Sequence, residues 1–175
     1  MARTALLVID VQAGLMPYMA HSEKVLQAIA DLLGQARLAG TPVIYVQHEE
    51  TDGLLVADTP AWEIHHAVAP RAGESIVHKR ACDAFHETSL HDELQERGIG
   101  HLVITGCQTD FCVDTTCRRA VTMGYDVTLV KNAHSTEDGE TLTADQIIAH
   151  HNRVLNGFGT EQHRIRVRPA AEITL

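Results

Sequence analysis

The chain is short of basic charge, aromatic side chains and paired cysteines, and each shortage closes a class of function. Only 14 lysines and arginines stand against 23 aspartates and glutamates, for a formal charge of −9. Without a run of cations, the sequence lacks the footprint that a nucleic acid or an acidic membrane surface requires. A small-molecule substrate is the expected partner, with no nucleic acid and no membrane. The apolar run in MARTALLVIDVQ ends in an acid after about five residues, too short for a signal-peptide core or a membrane span. A cytoplasmic, reducing location is therefore expected. Of the four cysteines, Cys82, Cys107, Cys112 and Cys117, none forms a C-x-x-C pair of the kind a zinc ribbon needs. A chain of this length with no export signal is not expected to rest on disulfides.

What is present is a well-supplied core. With 175 residues, 45% of them hydrophobic, the chain suits one domain over 1–175. Strand-length apolar runs alternate with helical periodicity: TALLVI at 4–9, VIYV at 43–46, SIVHK ending at Lys79, HLVITG at 101–106, DVTLV at 126–130, and HRIRVR as a closing edge strand. Between them, Ser22 is expected to cap a helix carrying Val25, Ile29, Leu32, Leu33 and Ala36, which Gly40 and Pro42 stop. Thr59 and Pro60 predict a short helix through Val68 within the long 47–75 stretch. Further helices are expected over 89–97, over 110–123, and after Thr143. The strands are uniformly apolar rather than alternating, as in strands buried on both faces. The fold class expected is α/β, a doubly wound, mainly parallel six-stranded sheet with helices on both sides.

In such sheets the ligand crevice lies beyond the carboxyl ends of the strands. Asp10, Lys79 and the turn TGCQTDFC each follow directly on a strand end. An acid, a cation and a thiol gathered there are the parts of a nucleophilic cysteine site. A helix starting near Asp110 would put Cys112 in its first turn, where free N–H groups and the positive dipole end favour a thiolate. An ammonium at Lys79 would lower its pKa further, and Asp10 could accept its proton. The bland alternative is an ion pair beside a packed cysteine.

The segments LLVIDVQ at 6–12, VHKRACDAFHETSL at 77–90 and LVITGCQTDFCVDTTCRRAVTMGYDVTLVKNAHST at 102–136 resemble the isochorismatase-like cysteine hydrolases, which include nicotinamidases and N-carbamoyl amide hydrolases. The resemblance runs in order over nearly the whole chain. It implies a three-layer α/β/α sandwich, Rossmann-like, and an Asp10, Lys79, Cys112 triad. Asp10 would carry the proton, Lys79 would stabilise the thiolate, and Cys112 would form a thioester. It also implies a cis peptide at Cys107-Gln108 and an oxyanion hole made by the Gln108 and Cys112 N–H groups, with a homodimer or homotetramer as the assembly.

Substrate is less legible. The D-x-H pair that binds metal in nicotinamidases is missing from VQHEETDGLL. Although His48, Glu49, Glu50 and Asp52 include ligand types, the loop reads as a solvated polar segment, with no metal and no cofactor expected. Members that cleave the isochorismate vinyl ether can lack the cysteine, so Cys112 within TDFCVDTT points to amide, carbamoyl or related acyl chemistry. The alternatives are vinyl-ether hydrolysis of isochorismatase type and a thiol-based sensor on the same scaffold. Candidate pocket residues are Gln12, two positions beyond Asp10, together with Trp62 and Phe85, in a chain only 4% aromatic.

Overall fold

The structure is a computed structural model and describes residues 3–175. Six strands, β1 (Arg3–Ile9), β2 (Val43–His48), β3 (Ser75–Lys79), β4 (Ile99–Cys107), β5 (Asp126–Ser135) and β6 (Ile165–Arg168), form one sheet in the order β3-β2-β1-β4-β5-β6. Every pairing is parallel. Successive strand side chains point to opposite faces, so β1 divides its apolar run between two cores. Leu7 and Ile9 join the side covered by α2 (Leu90–Glu96) and α3 (Asp114–Thr122), where Leu90, Leu94, Cys117, Ala120 and Val121 are buried. Leu6 and Val8 join the side covered by α1 (Ser22–Ala39) through Val25, Ile29, Leu32, Leu33 and Ala36. The expected three-layer sandwich is thus explained residue by residue. The remaining helix, α4 (Ala144–Leu155), starts at Thr143 in a full capping box with Gln146.

The strand order fixes where a ligand can sit. From β1 the chain runs outward to β2 and β3, returns to the other side of β1 as β4, and continues to β5 and β6. The reversal falls between β1 and β4, and a crevice opens there beyond their carboxyl ends. These ends lie unusually close: Gly106 pairs with Ile9 at a φ of 121°, and a β-carbon at this position would overlap the Ile9 carbonyl. Only glycine meets both conditions.

Four details differ from the sequence expectation. Ser22 is the first helical residue rather than the cap; His21 precedes it at a φ of 54°, and its ring contacts Asp145 at 2.7 Å. The helix expected from Thr59 stops after one turn. The backbone of 61–65 pairs instead with 11–14: Ala13 N–H donates to Glu63, Gly14 N–H to Ala61, and His65 N–H to Val11. Those bonds take the groups a helix would use, leaving a single 3₁₀ turn at His66–Val68. Strand β5 runs on to Ser135 because a register shift near Gly106 lets His134 and Ser135 pair with the end of β4. Finally, Thr109–Val113 winds as a π turn, and α3 begins only at Asp114.

Candidate active site

Asp10 stands directly after β1, Lys79 ends β3, and Cys112 lies in the π turn after β4. The structure brings all three together. The Lys79 Nζ is 2.7 Å from Asp10 Oδ2 and 3.2 Å from Cys112 Sγ. Asp10 and Lys79 are 1% and 2% exposed, and Cys112 is 9% exposed, so water screens their charges weakly. Asp10 adopts a φ of 51°, a left-handed conformation that aspartate tolerates better than most residues. Its Oδ1 is buried and has no hydrogen-bond partner. A buried acceptor of that kind is costly unless it has a proton to receive.

Burial works against the charge of Lys79, but Asp10 and Cys112 more than offset it, holding the ammonium above its ordinary pKa. At Cys112 the balance runs the other way. Burial and the Asp10 carboxylate push the thiol up, and the Lys79 ammonium pulls it down by less. Burial thus favours the neutral thiol at Cys112, against the lowering expected from a helix start and a lysine. The helix contribution is also changed in kind, because the π turn precedes the α-helix. The Gln108 carbonyl accepts from both Phe111 and Val113 N–H. A π turn of this sort often marks a functional position. The Cys107-Gln108 peptide is cis.

The three remaining candidates sit less directly at the site. Gln12 is 1% exposed, and its amide is committed to backbone: Nε2 donates to the His48 and Trp62 carbonyls, and Oε1 accepts from His48 N–H. Both amide hydrogens are committed to backbone carbonyls, so Gln12 acts as a bracket between the end of β1 and the end of β2. Phe85 is buried in the core beside α3, stacked on Tyr125 with centroids 5.7 Å apart. Trp62 is half-buried against His78 with ring centroids 5.4 Å apart, and its Nε1 is buried without a partner. A polar cavity of about 380 Å³ opens beside Lys79, lined by Glu49, His78, Arg80, Ala81, His86 and Glu87. Neither Trp62 nor Phe85 belongs to its wall.

The sequence reading missed several supporting residues. His48, weighed only as a loop ligand, is the last residue of β2 and the register partner of Lys79; its Nδ1 lies 3.1 Å from the ammonium. The signal was available only to a reader who knew that β2 and β3 are neighbours. On the other flank, Thr109 bonds His134 Nδ1 at 2.8 Å, Thr136 Oγ1 donates to Asp110 at 2.7 Å, and Gln108 donates to Glu137 at 3.0 Å. Atoms of Asp10, His48 and Cys112 lie within 4.8 Å of one another, a donor set of zinc type, but the Lys79 ammonium already stands bonded to each of them. The loop acids turn elsewhere: Glu49 binds Arg80 at 2.8 Å and Glu50 accepts from Leu55 N–H.

A thiol with its own acid and cation at the carboxyl edge of a parallel sheet places the chain among cysteine hydrolases of the α/β class. The family model described as isochorismatase domain matches residues 4–152, and the chain belongs to that family of hydrolases. It is 38% identical over 138 residues to a streptothricin hydrolase of Streptomyces noursei, an alignment that takes in 77% of this chain and 55% of that protein. This chain thus spans about half the length of that relative. A ureidoacrylate amidohydrolase of Caulobacter vibrioides is 29% identical over 140 residues, 63% of this chain and 62% of that protein. The crystal structure of an isochorismatase from Pseudomonas putida KT2440 superposes with a TM-score of 0.90 at 31% identity, over 98% of this chain and 90% of the other. The family thus includes enzymes that act on C–N bonds.

Proposed function

We propose that this chain hydrolyses a small amide, carbamoyl or related acyl compound through a thioester on Cys112, with Asp10 and Lys79 completing a triad and no metal taking part. The observation that carries this reading is the three-way contact of Asp10, Lys79 and Cys112, with a free buried oxygen left on Asp10. As Cys112 Sγ attacks the carbonyl carbon, its proton passes to Asp10. Thiol and carboxylate thus become thiolate and acid in one step, so the resting thiol is no obstacle. Lys79 stays between them and stabilises whichever atom carries the negative charge. The N–H groups of Gln108 and Cys112 receive the oxyanion. Asp10 then gives its proton to the departing nitrogen as the C–N bond breaks. Water, deprotonated by Asp10, opens the thioester, and the proton returns to sulfur.

The four free cysteines, three of them buried, suit a reducing, cytoplasmic setting. No described helix is long and apolar enough to cross a membrane. The assembly we favour is a homodimer or homotetramer, checked by light scattering on the purified chain.

The deciding experiment offers a panel of ureido acids, primary amides and lactams, reads ammonia or amine release, and maps any acyl adduct by acid-quenched mass spectrometry. The adduct should sit on Cys112, and Cys112→Ala should lower turnover at least about 10⁴-fold. Isochorismate is run alongside, because the Pseudomonas putida neighbour is described as an isochorismatase. Vinyl-ether cleavage that survives in Cys112→Ala but not in Asp10→Asn would replace the thioester reading. No turnover of any compound, with Cys112 reversibly oxidised, would instead favour a thiol sensor.

A further inference from the structure

An ammonium has three hydrogens to give and no lone pair to accept with. Three acceptors surround the Lys79 ammonium: Asp10 Oδ2 as an ion pair at 2.7 Å, and His48 Nδ1 at 3.1 Å and Cys112 Sγ at 3.2 Å at hydrogen-bonding distance. The geometry therefore settles the histidine. Nδ1 must present its lone pair, the ring must be neutral, and its proton must sit on Nε2. The charged groups around this ring agree in outcome. Burial and the Lys79 charge oppose protonation, outweighing Asp10 from β1 and Glu49 and Glu50 from the adjoining loop. The ring is also held from behind, since Gln12 grips the His48 backbone on both sides, donating to its carbonyl at 2.9 Å and accepting from its N–H at 3.0 Å.

We propose that His48 is a positioning residue for the Lys79 ammonium, an inference that rests on the reading of Asp10, Lys79 and Cys112 as the reacting set. With two acceptors the ammonium could rotate and favour Asp10, the more strongly charged of them. A third fixes the rotor so that one hydrogen always faces sulfur. The chemistry of the third acceptor matters as much as its place. A carboxylate there would cancel the positive charge that the developing thiolate needs, whereas a neutral imidazole takes the hydrogen and leaves the charge intact. His48 thus completes the coordination of the lysine without touching the reacting atoms. Gln12, three residues beyond the end of β1, holds His48 where this is possible.

Two measurements test this on the full chain. Long-range proton–nitrogen NMR of the histidine rings at neutral pH, with His48 assigned by its disappearance in His48→Asn, should show a neutral ring protonated on Nε2. A ring protonated on Nδ1, or on both nitrogens, overturns the proposal whatever the reactivity of the site. The second measurement is the rate of Cys112 alkylation by iodoacetamide. Asn places an oxygen near the position of Nδ1, and Gln reaches only towards Nε2. Relative to the parent chain, His48→Gln should slow alkylation about tenfold, the worth of one hydrogen bond to a charged group, and His48→Asn should recover to within about twofold. Equal rates in all three chains, or Asn no better than Gln, would sink it. Alkylation needs no turnover, so a parent chain that alkylates as described but hydrolyses nothing removes the proposed reaction and leaves the His48 arrangement standing.

Discussion

Two histidines flank the Cys112 turn, and their surroundings show which side of the site is scaffold and which is chemistry. His134, on the β5 side, is 1% exposed and has both nitrogens matched by neutral partners, Thr109 at Nδ1 and Asn152 at Nε2. Burial pushes its pKa down to about 4. His134 brings no charge to the site; it pins the backbone of the turn. His48, on the β3 side, is half-buried, accepts from an ammonium and has no protein acceptor for its second nitrogen among the described residues. One flank is satisfied in the manner of a core, and the other keeps charge and unpaired atoms that a core would not tolerate. A fold that leaves Asp10 Oδ1 buried and unpartnered is not optimised for stability there.

The largest effect should come from breaking the charged flank. Lys79→Met leaves Asp10 as a buried charge without its ammonium, and the expected loss is about 3 to 5 kcal/mol of unfolding free energy. Replacing both, as Asp10→Asn with Lys79→Met, should restore the parent stability or exceed it, because a buried ion pair rarely repays its desolvation. Urea unfolding of the parent, the single and the double variant measures this. A double variant less stable than Lys79→Met would mean that the pair is held for stability, and the contrast between the flanks would fail.

The scaffold flank should respond to pH instead. A histidine held near 4 in the folded chain and about 6.5 when unfolded takes up a proton only on unfolding between those values. Its contribution to stability is complete above about pH 6.5 and is lost as pH falls towards 4, by about 3 kcal/mol over that window. His134→Asn, which can still accept from Thr109 and does not titrate, should flatten the fall in melting temperature between pH 6.5 and 4. An unchanged slope would assign the acid sensitivity to other groups.

The contrast also explains what the sequence could and could not reveal. The strand-end positions of Asp10, Lys79 and Cys112 follow from local patterns alone: an apolar run, then a chemically active residue. The parallel sheet followed from LLVI, VIYV and LVIT being apolar on both faces. What escaped was anything depending on which strands are neighbours. His48 reaches Lys79 because β2 lies beside β3, and His134 reaches Thr109 because β5 resumes pairing with β4 after a register shift. Neither pairing leaves a periodicity. The bracket made by Gln12 escaped for the same reason: the carbonyls of His48 and Trp62 that claim its amide come from elsewhere in the chain. The π turn was missed because its sequence reads as an ordinary helix start. The upward push of burial on the thiol was not legible either, since it depends on the depth of the site.

The finest test compares two bonds within the scaffold flank. Thr136 donates to Asp110 at 2.7 Å in a partly buried setting, while Gln108 donates to the exposed Glu137 at 3.0 Å. Both tie β5 to the nucleophile turn, so a purely geometric view would rank them alike. Their solvent exposure says otherwise. Thr136→Val leaves a carboxylate oxygen of Asp110 without its donor and should cost about 1 to 2 kcal/mol; Glu137→Gln exchanges one exposed acceptor for another and should cost less than about 0.5 kcal/mol. If the turn is braced as described, Thr136→Val should also increase amide hydrogen exchange across 109–113 more than in α3, whereas Glu137→Gln should leave both alone. Equal effects from the two substitutions would show that the brace lies in the backbone pairing of β4 with β5 and not in the side chains above it.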